Sequence, residues 1–143
     1  GVIDGLTPVD DFSFNSNDMD GMNSVASLTA GKNYKVMISG EWTNRPGETV
    51  DTSYSTMDNW TTSLAGPDGG YPDDLLEVQL NNAFQNWGDY NSSHEYSLMY
   101  TPLLTAQANF RVFDGDVSTN TIDPGWYNDN IGTLNVTIEQ MLY

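Results

Sequence analysis

Asp114, Asp116, Asp123, Asp129 and Asn130 crowd oxygen-bearing side chains into one stretch, among the turn formers Gly115, Pro124, Gly125 and Gly132. A hard cation such as Ca2+ needs such a stretch, because it takes roughly six to eight oxygens, some from backbone carbonyls, at flexible geometry. The same composition also builds ordinary turns, since Asp, Asn, Gly and Pro each favour turn conformations for their own reasons. At this level both readings stand.

The elements that must position the stretch lie on either side of it. Phe110 and Val112 before it, and Leu134, Val136 and Ile138 after it, alternate with polar residues. That period of two marks half-buried strands. The unit therefore reads strand, acidic loop, strand.

Charge bounds the function classes. Twenty acidic residues face four basic ones, Lys32, Lys35, Arg45 and Arg111, for a formal net charge of −16 over 143 residues. A surface of that sign repels phosphate backbones and anionic bilayers, so the expectation is no nucleic acid and no membrane insertion. It also repels itself, unless salt screens it or bound cations neutralise it. An extracellular or surface-exposed setting, secreted, cell-surface or virion, would supply both. With no cysteine and one histidine, His94, nucleophilic Cys-His or Ser-His-Asp sites and zinc sites have almost no candidates, and no enzyme is expected. His94 opens a strand and is expected to pack or to lie on the surface. No long apolar run and no signal pattern occur at Gly1, so the chain reads as a mature product or an excised domain.

Along the chain, residues 1–23 read as an N-terminal arm or edge strand around Val2–Leu6 and then loop, ahead of a single sandwich domain over 24–143. Ser16, Asp18, Asp20 and Gly21 have the alternate-oxygen spacing that opens an EF-hand. The first ligand is wrong, and Ser27 stands where the closing Glu belongs, so a polar turn is expected. Strands are predicted at Val25–Leu28, Asn33–Ser39, Leu75–Leu80, Glu95–Tyr100, Ala106–Phe113 and Thr133–Leu142. Thr, Ser, Tyr and Trp between residues 48 and 64 suggest β-prone, exposed pieces, and AGPDGGYPDD after them a loop. Short strands separated by turn clusters, with no long helix, predict an all-β fold: an antiparallel β-sandwich of about seven to nine strands.

The segments GKNYKVMISGEW, LLEVQL, HEYSLMYTP, FRVFDGD and PGWYNDNIGTLNVTI, in that order, resemble the calcium-dependent galactose-binding lectins of bacteria, the PA-I type. The sharpest piece is Pro124-Gly125-Trp126-Tyr127-Asn128-Asp129-Asn130-Ile131-Gly132 leading into an alternating strand. The resemblance implies a jelly-roll or galactose-binding-like sandwich with one Ca2+ at one end. By position, it implies the side chains of Asp129 and Asn130 as metal ligands, with an acidic residue where FRVFDGD ends (Asp116, or else Asp114). Carbonyls near Trp126 and Asn44 would complete the shell. It further implies a carbohydrate or glycan held through two hydroxyls, with Asp129, Asp116 and Asn44 as polar contacts. Trp126, Tyr127, Trp42 and Trp60 are the candidate aromatic platforms. The family also reads its sugar with a His and a Gln from the loop after the GEW segment, and residues 45–74 here contain neither. The competing expectation is a structural or adhesive subunit of a virion or surface appendage, in which any calcium only braces loops. Its partners would be other protein subunits, met through an edge strand or the N-terminal arm.

Overall fold

The computed structural model describes residues 5–56, 59–60, 74–116 and 119–142. Its strands are β1 (Leu6–Asn15), β2 (Met22–Leu28), β3 (Tyr34–Ser39), β4 (Trp42–Arg45), β5 (Glu48–Val50), β6 (Asp74–Leu80), β7 (Ala83–Phe84), β8 (Glu95–Tyr100), β9 (Ala106–Asp116), β10 (Thr121–Ile122) and β11 (Thr133–Met141), with one short helix, α1 (Pro124–Tyr127). One sheet runs β1-β11-β3-β8, the other β10-β9-β6-β7 with β2 also on β9, and β4 and β5 form a separate hairpin. Every ladder is antiparallel.

This is the expected all-β sandwich. The strand count exceeds the expected seven to nine because β4, β5, β7 and β10 are short pieces inside connections. Alternation decides which residues fill the space between the sheets. Tyr34, Val36 and Ile38 of β3, Leu134, Val136 and Ile138 of β11, Phe14 of β1 and Tyr96 of β8 face Leu76, Val78 and Leu80 of β6 and Ala108, Phe110 and Val112 of β9. Burial of that apolar set is the main force holding the sheets together.

Two regions differ from expectation. The N-terminal strand lies at Leu6–Asn15, where a loop was expected, and pairs with β11 along its length. Asp10 and Asp11 obscure its pattern, yet the ladder shifts register between Pro8 and Asp10. The freed Asp10 carboxylate then accepts the Val25 and Ala26 amides at 2.7 and 3.1 Å. Val2 lies outside the described residues.

The second region is the run after β4, expected to be exposed. From Glu48 to Ser55 it is largely buried, including the carboxylates of Glu48 and Asp51. Its polarity is tolerated because its groups are bonded inward: Asp51 accepts the Ser53 and Tyr54 amides at 3.0 and 2.9 Å. The segment also seals a sheet edge, with the Val78 amide donating to the Thr52 carbonyl at 2.9 Å. Most of AGPDGGYPDD falls outside the described residues.

Candidate functional site

The end of the sandwich where β9 stops and β11 starts is built around Tyr127 and Asn130. Asp123 caps α1, its Oδ1 accepting the Gly125 amide at 2.7 Å, with Pro124 in the first turn, as helix starts favour. This coil drives Tyr127 into the core. Its hydroxyl donates to the Val112 carbonyl at 2.8 Å and accepts the Asp114 amide at 3.1 Å. Burial, reinforced by the Asp114 charge and opposed by the Asp114 amide, pushes the phenol up to about 12. Tyr127 is thus the plug of this end, and its ring is not an open platform. Trp42 is likewise buried, its indole N–H donating to the Asp51 carbonyl at 3.2 Å. Neither ring is available to stack on a ligand.

Asn130 is 2% exposed. Its Nδ2 donates to the Ser16 carbonyl and to Asp114 Oδ2, both at 3.0 Å. The Ser16 backbone and hydroxyl are themselves tied to the Gly132 carbonyl, at 3.0 and 2.8 Å. So the turn that imitates an EF-hand opening serves as the wall behind Asn130. Asp18 Oδ1 there accepts the Asp20 and Gly21 amides, as an ordinary Asx turn does. Asn130 Oδ1 has no hydrogen-bond partner, one of four such buried side-chain atoms among the described residues, with Thr52, Glu77 and Asn109 supplying the others.

Of the two acidic candidates on β9, Asp114 is the one brought to Asn130. The carboxylate of Asp116 turns to the Thr119 amide at 3.3 Å, in the β9–β10 hairpin. Asp129 and Trp126 are exposed beside them, Trp126 to 43%. Asn44 arrives from another direction. Thr43 and Ile131 exchange backbone hydrogen bonds at 2.8 and 2.9 Å, which joins β4 to the residue after Asn130. The β4–β5 register shifts between Thr43 and Arg45, leaving Asn44 without a ladder partner there. Its Nδ2 donates to Glu48 Oε1 at 2.7 Å, while Arg45 Nε lies 3.2 Å from the same oxygen. Ser55 donates to Glu48 Oε2 at 2.7 Å.

Among the described residues no three His, Cys, Asp or Glu side chains converge as a metal set. A triple-carboxylate site is therefore absent there. What is present suits calcium differently: one buried carboxylate, one amide oxygen lacking a donor, and a strand bulge next door. Mixed carboxylate, amide and carbonyl oxygens are an ordinary calcium set.

A second polar cluster, unforeseen in the sequence, lies beside the core. His94 places Nδ1 2.8 Å from Asp51 Oδ2 and Nε2 2.9 Å from Glu41 Oε1. Tyr96 donates to the same Asp51 oxygen at 2.6 Å. Trp60 stacks on Tyr90 at 5.2 Å and leans on His94 at 4.9 Å. Trp60 is accordingly packed rather than offered as a platform, and His94 packs as well. Nothing in the spacing of Asp51, His94 and Glu41 along the chain could have announced this cluster.

These features describe a β-sandwich with a polar, loop-built end. No protein-family model matches the sequence, and no curated protein matches it. A solved structure described as "EclA N-terminal domain; PllA-like lectin" is similar at 17% identity, over 94% of this chain and 98% of that one, with a TM-score of 0.47. At that score the likeness assigns no sugar, ion or residue role to this chain. No described helix is long and apolar enough to cross a membrane.

Proposed function

We propose that this chain is a calcium-dependent carbohydrate-binding module whose working surface is the Asp114–Asn130 end. The observation that supports it most is Asn130: its buried amide is clamped by Ser16 and Asp114, yet its Oδ1 has no donor. An acceptor left bare inside a protein costs on the order of 1–3 kcal/mol, and a bound cation removes that cost. Asp114, Asn130 and the Asn44 carbonyl would hold the ion, with Asp129 and the Trp126 carbonyl closing the shell from the exposed side. Bound there, calcium would supply a fixed positive charge that orients two hydroxyls of a sugar. The chain would supply the rest. Asp129 accepts from a sugar hydroxyl, and Trp126, the one exposed aromatic of the platform candidates, offers its face to the apolar side of the ring. Asp116, hydrogen-bonded in its hairpin, borders the site. An extracellular or surface-exposed setting, where calcium is plentiful, belongs to the same proposal.

Calorimetric titration of a neutral and charged glycan panel tests this, first in calcium and then in EDTA. Heat for at least one glycan, lost on chelation and restored by calcium, is the expected result. Silence across the panel removes the carbohydrate reading, and binding indifferent to EDTA removes the ion.

A further inference from the structure

The acids of this chain are unevenly placed. Residues 21–40, 78–88 and 96–113 contain none of the 20 Asp and Glu residues and three of the four basic ones, Lys32, Lys35 and Arg111. In space, parts of these stretches meet at one end of the sandwich, where β9 begins, opposite the Asp114–Asn130 end where it stops. The Gly31 amide donates to the Pro102 carbonyl at 2.9 Å, the Ala30 amide to Thr105 Oγ1 at 3.0 Å, and Asn81 Nδ2 to the Tyr100 hydroxyl at 2.8 Å.

A groove of about 530 Å³ opens there, and none of the residues lining it carries a charge. Leu80, Ala83 and Tyr100 line it with the amides of Asn81, Gln85 and Gln107. On its rim stand Leu103 and Leu104, 93% and 80% exposed. Two adjacent leucines held in water beside an uncharged groove are out of character on a surface this polar.

We propose that this end is the interface of a homodimer, in which a two-fold axis seats Leu103 and Leu104 of each copy in the groove of the other. Protrusion and recess lie on the same end, which is the self-complementarity an isologous contact requires. Charge selects the same geometry. Two chains of −16 repel, and contact through a groove that no charged residue lines keeps the acids of both copies off its floor. A head-to-tail contact would instead press the loop bearing Asp116, Asp123 and Asp129 against an uncharged groove and strip those groups of water. The dimer would leave the two Asn130 ends pointing outward.

Sedimentation equilibrium over a wide concentration range tests this on the full chain. The expected mass is twice that of the chain, with association strengthening as salt screens the net charge. Leu103→Glu with Leu104→Glu should return a folded monomer that melts below the parent only by what dimerisation adds, a gap that closes as the parent is diluted, since neither side chain is packed in its own fold. Ile131→Glu, at the opposite end, should leave the dimer intact. A monomer at every concentration overturns the proposal, as does a ladder of masses beyond the dimer, or a dimer indifferent to both leucines. A monomer that takes up an apolar dye in this groove also overturns it, in favour of a small ligand.

Discussion

Two buried oxygens without hydrogen-bond donors, Glu77 Oε2 and Asn130 Oδ1, sit in different parts of the sandwich and meet the same difficulty differently. Glu77 is walled in on β6, its other oxygen accepting from the Ser53 hydroxyl at 2.6 Å. Burial pushes its carboxyl up to about 8, with Ser53 pulling down and the Asp51 charge adding to the rise. A carboxyl can escape the cost of burial by keeping its proton. An amide oxygen has no such escape. Asn130 therefore needs a donor or a cation from outside, and it lies under an exposed loop rather than inside a closed wall. Glu77 thus belongs to the scaffold, while Asn130 is the group on which the proposed calcium site rests.

The scaffold side can be broken hardest at Asp51, which accepts from Ser53, Tyr54 and Tyr96 and faces His94. Asp51→Ala strands all four, and chemical denaturation should register a loss on the order of 3–5 kcal/mol. Glu77 gives a pH signature instead. Its folded pKa of about 8 exceeds the ordinary 4.5, so the folded state holds a proton that the unfolded state has released. Stability is then full below about pH 4.5 and falls as pH rises through 8, by roughly 1.4 kcal/mol per unit at the steepest. In Glu77→Gln that decline should flatten, and the variant should melt higher than the parent at pH 9. A melting temperature of Glu77→Gln that tracks the parent across this range would show that Glu77 is ionised in place.

On the ligand side, calcium at about a hundredfold excess over its dissociation constant should add about 2.7 kcal/mol, several degrees in a melt at low salt. Asn130→Ala should abolish that increment. Smaller still, Trp126→Ala should weaken glycan binding about tenfold, as loss of a single stacking face does, with calcium affinity and melting temperature unmoved. Equal glycan affinity in the variant would take Trp126 out of the site.

The two regions were unequally legible in the sequence, for physical reasons. Strands β3, β8 and β11 stand out because one face is buried and the other wet, so hydrophobicity alternates cleanly. Strand β1 hides because Asp10 spends its charge on two backbone amides of β2, a contact that spacing alone does not encode. Residues 48–55 read as exposed since Glu, Asp, Thr and Ser dominate them, and only tertiary partners explain their burial. Around the candidate site, the Asp, Asn and Gly crowding marks the loop that carries Asn130 and Asp129. It did not distinguish Asp114 from Asp116: the helical turn at Pro124–Tyr127 and the Tyr127 anchor select Asp114, and both are three-dimensional facts. Tyr127 and Trp42 read as platform candidates because an aromatic beside a loop looks the same in sequence whether it plugs or protrudes, and both plug.

The direct test is diffraction from crystals grown in calcium, with anomalous differences recorded. The expected result is a peak within about 2.3–2.6 Å of Asn130 Oδ1, with Asp114 in the same shell. A well-ordered water donating to that oxygen in calcium-rich buffer, with no anomalous signal, would contradict it.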